Sequence, residues 1–254
     1  MDFALNEIQQ ELRDQARSWL ASRYPLDRDW DAQDDRWAEL GELGWLDVAE
    51  ADLGFVEEAL LLEEMGYALY AGPYLAHVTG QTDVFGSGGT IATVDPSRPL
   101  KRMPNGETPR LRAAMAAEAV GVAQRALDLG IEHAKTRVQF GKPIGTYQAV
   151  SHQLSDTYTD VELARSLAYW AAWCVAEDDE QAPTAAAAAK AFATEAAVAA
   201  CERSIQVHGG IGFTWEHALH RFYKRALWLH GTGSRPTALR AEIAAAVIGT
   251  PVPA

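Results

Sequence analysis

Apolar residues recur every three or four positions over most of the chain, the spacing that is typical of amphipathic helices. In the N-terminal part this pattern predicts helices over about 4–22 and 33–43 and a third that starts near Phe55. A short apolar segment follows at 74–78. The breaks between or within these stripes fall at Pro25, Gly44 and Gly66. We therefore predict an N-terminal helical domain over 1–78.

Residues 79–108 have a different character, because glycine and proline crowd into them. Within this stretch, Thr90–Val94 is the segment that has the pattern of a strand. We predict a linker over 79–108 that holds at most one short hairpin.

The helical pattern returns after Thr108-Pro109, where a capping hydroxyl precedes a proline at the first helical position. Gly209-Gly210 is expected to end one of the later helices, and Thr214 to cap the next. The predicted helices cover about 109–135, 147–177, 184–208, 215–229 and 235–248. Antiparallel helices of this length predict a helical bundle over 109–250, so the expected fold class is all-α.

Composition narrows the range of partners. The chain has 254 residues, 48% of them hydrophobic, and a formal net charge of −13. This charge argues against nucleic acid or an anionic membrane as the main partner. Cys174 and Cys201 fall in helical patterns and are expected to be buried free thiols. We see neither a signal-peptide pattern nor a run of 18 apolar residues, and expect a cytoplasmic protein.

The segment RVQFGKPIGTYQ, residues 137–148, separates two long helices. Gly141, Pro143 and Gly145 break the first helix, so Arg137 ends it and Gln148 lies in the first turn of the next. The arginine fork suits a phosphate or pyrophosphate. The alternative is that Arg137 only neutralises the C-terminus of its helix.

The segment QVHGGIGFTW, residues 206–215, follows a later helix. Its glycines allow the backbone to approach a ligand closely. A glycine cap and turn without a ligand is the alternative for this segment on its own.

Together the two segments closely resemble the C-terminal helical domain of acyl-CoA dehydrogenases. The pieces LGELGWLDVAE and VEEALLLEEMGYALYAGPYLA resemble that family's N-terminal helical domain. The resemblance implies that the chain contacts the ADP half of FAD across a subunit interface. The positions that match the family's FAD contacts are Arg137, Phe140, Gln148, Gln206, Gly209 and Gly210.

The chain also departs from this family. Acyl-CoA dehydrogenases insert a β-barrel domain between the helical domains, with a Thr-Glu-Pro…Gly-Ser-Asp type of segment that covers the flavin and the thioester. Here DPSRPLKRM resembles only the last strand of that barrel, so the barrel is expected to be largely absent. The family's longer glycine-rich loop is reduced to residues 51–54.

The catalytic base is the second departure. The family's glutamate stands in a Tyr-Glu-Gly-Thr segment, and the matching residues here place His230 at its position. An imidazole can act as a general base near neutral pH, but a histidine beside a glycine turn can also interact only with the helix dipole. Glu107 and Glu118 lie near the first helix of the bundle, and neither obviously replaces the missing acid.

Two further histidines raise the question of a metal. His217 and His220 stand three residues apart on a predicted helix, which would place them on one face. We find no third ligand and no known zinc spacing, so we predict no metal site. His208 is expected to pack behind the glycine turn.

Three functions remain open. The resemblance favours a subunit of a heteromeric acyl-CoA dehydrogenase, an α2β2 heterotetramer of the steroid-enzyme type. In that complex a full-length homologue supplies the β-domain and the catalytic glutamate for α,β-dehydrogenation of an acyl-CoA, and FAD is shared. The alternatives are a self-sufficient flavoenzyme that uses His230, and a non-redox scaffold or acyl-binding protein. The retained FAD-contact residues argue against a pure scaffold.

Overall fold

A computed structural model describes residues 4–30, 35–48, 53–85, 88–102, 104 and 106–249. Over these ranges the protein is helical, with a single pair of two-residue strands, so the predicted fold class is confirmed. The helices are α1 Glu7–Arg23, α2 Trp37–Glu42, α3 Phe55–Ala68, α4 Tyr74–Thr79, α5 Pro109–Thr136, α6 Gln148–Ala176, α7 Ala182–His208, α8 Leu219–Gly231 and α9 Pro236–Ile248. The strands are β1 Val138–Gln139 and β2 Lys142–Pro143.

The caps predicted at Thr108-Pro109 and at Gly209 are confirmed. The Thr108 hydroxyl accepts a hydrogen bond from the Leu111 amide at 3.1 Å, with Pro109 at the first helical position of α5. Helix α7 ends at Gly209, whose φ of 64° lies in the left-handed region that favours glycine.

Two local predictions in the bundle and the linker are wrong. Helix α8 begins at Leu219 and not at 215, because Gly209–Phe213 form a 3-10 turn and the Thr214 hydroxyl donates to the Ile211 carbonyl, 2.9 Å away. Thr214 therefore caps the preceding turn and not the next helix. The segment Thr90–Val94 forms no strand; its Ile91 makes one isolated antiparallel bridge to Leu100.

The N-terminal helices pack directly on the bundle through glycines. A Cβ atom on Gly66 of α3 would lie 2.1 Å from the Glu118 carbonyl oxygen of α5. A Cβ on Gly121 of α5 would lie 1.8 Å from the Glu63 carbonyl oxygen of α3. Gly66 is therefore a helix-crossing point within α3 and not a break. The close approach joins the two helical units into one core, which also contains the middle of α7.

The linker is docked on this core. Val84, Phe85 and Leu100 are buried, and the Phe85 ring packs edge-on against Trp228 of α8 with 5.6 Å between ring centroids. The linker also supplies two charged side chains to a buried ionic group, which we call the linker cluster: Asp95, Arg98, Glu118 and Arg225. None of the helices in the described part of the chain is long and apolar enough to cross a membrane.

Candidate FAD-contact site

The first motif forms a tight hairpin between α5 and α6. Arg137 caps the C-terminal end of α5, and Gln148 is the first residue of α6. The hairpin turns at Phe140 and Gly141, both with positive φ, 52° and 82°. Positive φ at both central residues defines the type I′ turn that favours two-residue hairpins. The Ile144 amide donates to the Arg137 carbonyl at 2.9 Å, which brings the chain back beside the end of α5.

Three polar side chains of the two motifs are free to bind a ligand. Arg137, Gln148 and Gln206 are exposed, and their side chains make no hydrogen bond or ion pair with any residue that the structure describes. Phe140 is 93% exposed at the tip of the hairpin. One guanidinium, two amides and an aromatic face are groups that suit a phosphorylated, planar ligand.

The second motif leaves its backbone open. A Cβ atom on Gly210 would meet nothing within 4 Å, so the surface above this residue is accessible. Gly212 has the opposite constraint, because its Cβ would lie 2.6 Å from the Ile205 carbonyl oxygen. The glycine at 212 thus lets the 3-10 turn fold back on α7, and it presents Gly209 and Gly210 outward.

A stack of three imidazoles joins the two motifs. The His133 ring, in the last turns of α5, lies 4.3 Å from the His208 ring at the end of α7, and His208 lies 4.4 Å from His217. The His208 Nδ1 is 2.8 Å from the Ser204 carbonyl oxygen. Burial lowers the pKa of all three rings, and that of His217 falls to about 4. Neutral rings can pack together without charge repulsion. His208 lies behind the glycine turn, as expected, and its contacts with His133 and His217 place both motifs at one end of the bundle.

Apolar side chains surround this end of the molecule. Phe213 and Trp215 are each 76% exposed, and Ile211 is 45% exposed. Phe140, at the tip of the hairpin, is exposed as well. Several large apolar side chains exposed at one end of a molecule are typical of a surface that binds a ligand or another protein.

His230 lies at the other end of α8. It is half-buried in the last turn, and its ring makes no hydrogen bond to the residues described. The loop that follows is held by two buried charges. Lys190 Nζ donates to the Thr232 carbonyl at 2.7 Å and forms an ion pair with Glu107, whose carboxylate accepts from the Ser234 amide at 3.0 Å.

These contacts decide the role of the two glutamates. The Glu107 carboxylate is enclosed by Lys190, Arg112 and the Ser234 amide, so it serves to hold the loop. The Glu118 carboxylate forms ion pairs with Arg98 and Arg225. Neither carboxylate is free to take a proton from a substrate in this arrangement. Lys190 was assigned no role from the sequence, although a lysine inside an alanine-rich helix is a usable sign of a buried ion pair.

His217 and His220 do not form the predicted pair on one helical face. The described residues contain no group of three or more His, Cys, Asp or Glu side chains that could hold a metal ion. His217 precedes α8 and its Nδ1 accepts from the Leu219 amide at 3.2 Å, so it does not share a helical face with His220. The His220 ring instead packs against Trp215 with 4.6 Å between centroids.

The N-terminal helical unit and the C-terminal bundle with its two turns are those of a known family. Residues 105–246 match the C-terminal domain of acyl-CoA dehydrogenases, and residues 6–90 match the N-terminal domain. The chain belongs to the acyl-CoA dehydrogenase family, whose members depend on FAD. The two matches leave residues 91–104 between them, and the described part of that segment contains no barrel.

Two of the similar curated proteins are mycobacterial acyl-CoA dehydrogenases. The chain is 42% identical over 152 residues to acyl-CoA dehydrogenase IpdE2 of Mycobacterium tuberculosis, a match that covers 56% of this chain and 45% of the relative. It is 46% identical over 120 residues to acyl-CoA dehydrogenase FadE34 of the same organism, covering 47% of this chain and 16% of the relative. The chain thus spans less than half the length of these curated relatives.

Solved structures share the fold over nearly the whole chain. The ChsE4-ChsE5 complex from Mycobacterium tuberculosis superposes with a TM-score of 0.80 at 21% identity, covering 99% of this chain and 100% of the other. Butyryl-CoA dehydrogenase from Megasphaera elsdenii superposes with a TM-score of 0.82 at 18% identity, covering 98% and 100%. At sequence identities this low, the similarity shows that the fold is shared and no more.

Proposed function

We propose that this chain is a subunit of a heteromeric, FAD-dependent acyl-CoA dehydrogenase. It supplies the side of the site that binds the ADP half of FAD, and a full-length homologous chain supplies the β-domain and the catalytic glutamate. The observation that carries this proposal is the set of free donors at one end of the bundle: Arg137, Gln148 and Gln206 are exposed and unpaired among the described residues, beside the open backbone of Gly209 and Gly210.

These residues fit the phosphate-bearing half of FAD better than its ring. Arg137 can make charge-assisted hydrogen bonds to a pyrophosphate, each worth about 1.5–3 kcal/mol. Phe140 offers an exposed face for a planar base. The free energy of these contacts must first offset several kcal/mol of lost translational and rotational freedom. Because the described linker contains no barrel that could bury an isoalloxazine ring, we propose that the remaining affinity comes from another chain.

The two chains also have different roles in the reaction. Bound FAD would accept the hydride when an acyl-CoA thioester is oxidised between its α and β carbons. Removal of the α-proton requires a free base near neutral pH, and Glu107 and Glu118 are held in ion pairs. We propose that the partner's glutamate takes this proton in an α2β2 assembly. The two-chain ChsE4-ChsE5 complex, whose fold this chain shares, supports such an arrangement.

The test compares the chain alone with the chain co-expressed beside a full-length homologue that retains the family's glutamate. We expect the purified chain to hold little FAD and the complex to absorb as a flavoprotein. Arg137→Ala should weaken FAD binding to the complex about ten- to a hundredfold, since it removes a charge-assisted bond. The matched control is Lys135→Ala, an exposed cation in the last turn of the same helix. Equal FAD loss in both variants would contradict the assignment of Arg137.

His230 distinguishes this proposal from its main alternative. If the partner carries the base, His230→Ala leaves most of the turnover of the complex intact. In the alternative, the lone chain binds FAD stoichiometrically, oxidises an acyl-CoA and loses that activity with His230→Ala. A complex that forms but never binds FAD, with or without Arg137, would favour the non-redox scaffold.

A further inference from the structure

A cavity lies between α8, the turn that follows α1, and the linker. Its volume is about 320 Å³, and its walls include Trp30, Asp95, Ser97, Arg221 and Lys224. None of the residues assigned to the FAD contact lines this cavity. Because a water molecule occupies about 30 Å³ in the liquid, the space holds roughly ten waters. It is large enough for a small organic anion.

The two cations in the wall are held by aromatic rings. The Arg221 guanidinium lies 4.8 Å from the centre of the Trp30 ring, and Lys224 Nζ lies 4.4 Å from the centre of the Trp215 ring. The side chains of Arg221 and Lys224 form no ion pair and no hydrogen bond with the residues that the structure describes. In a chain with a net charge of −13, two such cations on one cavity require an explanation.

The carboxylate that lines the cavity cannot neutralise them. Asp95 Oδ1 accepts from the Ser97 amide at 2.9 Å and from the Ser97 hydroxyl at 2.7 Å, and Oδ2 accepts from Arg225 Nε at 2.5 Å. Burial would raise the pKa of Asp95, but attraction to Arg225 and these hydrogen bonds outweigh it and lower the pKa. Asp95 is thus ionised and already paired with Arg225.

Two more observations indicate that positive charge near the cavity is not fully compensated. Burial and the like charges of Arg225 and Arg221 lower the pKa of Arg28, which stacks on Trp30 at 3.6 Å, to about 10. Arg221 also lies in the first turn of α8, where the helix dipole disfavours a cation. A negative charge between Arg221 and Lys224 would reduce the like-charge repulsion on Arg28 and offset the unfavourable position of Arg221 at the helix N-terminus.

We propose that this cavity is a phosphate site, in which Arg221 and Lys224 bind a phosphate dianion or the phosphate of a small phosphomonoester. The arginine fork matches two phosphate oxygens and the lysine adds a point charge. Two unpaired cations are balanced by a dianion, whereas a single carboxylate would leave one charge uncompensated. The volume admits a small substituent on the phosphate and excludes a complete dinucleotide.

Isothermal titration calorimetry at constant ionic strength tests the proposal, with the intact chain titrated separately with inorganic phosphate and phenyl phosphate. We expect saturable binding with a dissociation constant of about 1 mM or tighter for at least one of them. Tighter binding of phenyl phosphate would identify a phosphomonoester as the ligand class, and equal or tighter binding of phosphate would identify the free ion. Absence of saturable binding of both probes overturns the proposal.

Variants then locate the binding. Arg221→Gln and Lys224→Gln should each weaken the affinity at least tenfold, and because both side chains are half-buried, circular dichroism should show an unchanged helical fold. If Arg221→Gln does not fold, Lys224→Gln alone carries the test. The matched control is Arg13→Gln, which removes the same charge from the exposed side of α1. Equal weakening by Arg13→Gln would show that bulk charge and not this cavity binds the anion, and would overturn the assignment.

Discussion

Replacing Arg225 by methionine removes the centre of the linker cluster. Arg225 is 0% exposed and joins four partners: Asp95 at 2.5 Å, Glu118 at 2.5 Å, the Ser97 hydroxyl at 2.9 Å and the Tyr70 carbonyl at 3.1 Å. Methionine fills similar space without the charge. The change leaves two buried carboxylates with one buried arginine, Arg98, which contacts only Glu118 among them.

The expected cost follows from burial. Removing one partner of a buried ion pair destabilises a protein by about 3–5 kcal/mol, because the other partner stays desolvated without its charge. Here Oε2 of Glu118 already lacks a hydrogen-bond partner among the described residues, so little spare pairing exists. Against a typical unfolding free energy of about 5–15 kcal/mol, such a loss is a large fraction of the total.

Urea denaturation followed by far-UV circular dichroism measures the effect. With a slope of roughly 3 kcal/mol per molar urea, Arg225→Met should lower the midpoint by about 1–2 M. The control is Arg240→Met, which breaks an exposed pair with Glu195 and should cost about 0–1 kcal/mol. Adding Asp95→Asn to Arg225→Met should recover part of the stability, because it removes the unpaired carboxylate and leaves the ion pair of Glu118 with Arg98 intact. If Arg225→Met costs no more than the control, the cluster does not stabilise the fold and this reasoning is wrong.

Two further perturbations test the packing and the imidazole stack. Gly121→Ala should destabilise the chain by at least about 1–3 kcal/mol in the same urea assay, because the added Cβ atom would overlap the α3 backbone. The control is Gly231→Ala, whose added Cβ atom would meet nothing within 4 Å and should cost little. Stability should fall as pH drops from about 6.5 towards 4, because the depressed pKa values of the stack mean that the unfolded chain binds more protons there. His217→Phe should reduce the change of unfolding free energy with pH, as measured by urea denaturation at several pH values. His152→Gln, at an exposed position, should leave it unchanged.

The helices were predictable because their local signals agree with their tertiary contacts. Thr108-Pro109 and Gly209 start and end helices by short-range hydrogen bonds and backbone conformation that the sequence encodes directly. The prediction for Thr214 was wrong because its hydroxyl donates back to the Ile211 carbonyl and not forward to the next helix. Residues Gly209–Phe213 before it form a 3-10 turn. The break predicted at Gly66 was wrong because the sequence around a glycine does not distinguish a helix crossing from a helix end.

The candidate site was predictable in part for a different reason. Arg137 and Gln148 lie in one short segment, so their placement at the ends of adjoining helices follows from a local turn. The stack of His133, His208 and His217 depends on three separate elements meeting in space, and no periodicity indicates it. The linker cluster is equally non-local, since Asp95 and Arg225 are 130 residues apart in sequence.

The linker cluster also explains how the chain can lack the family's barrel and remain well packed at the junction. Without the barrel, the facing surfaces of α5 and α8 need another cover, and residues 95–98 with buried Leu100 and Phe85 provide it. Buried charges stabilise only when they are paired, so the cluster fixes the linker in one position where an apolar cover could slide. The arrangement closes the helical core locally and leaves the donors around Arg137 exposed at its far end. A chain built in this way presents exposed donors on a fixed scaffold, which is the form that our proposal of a shared FAD site requires.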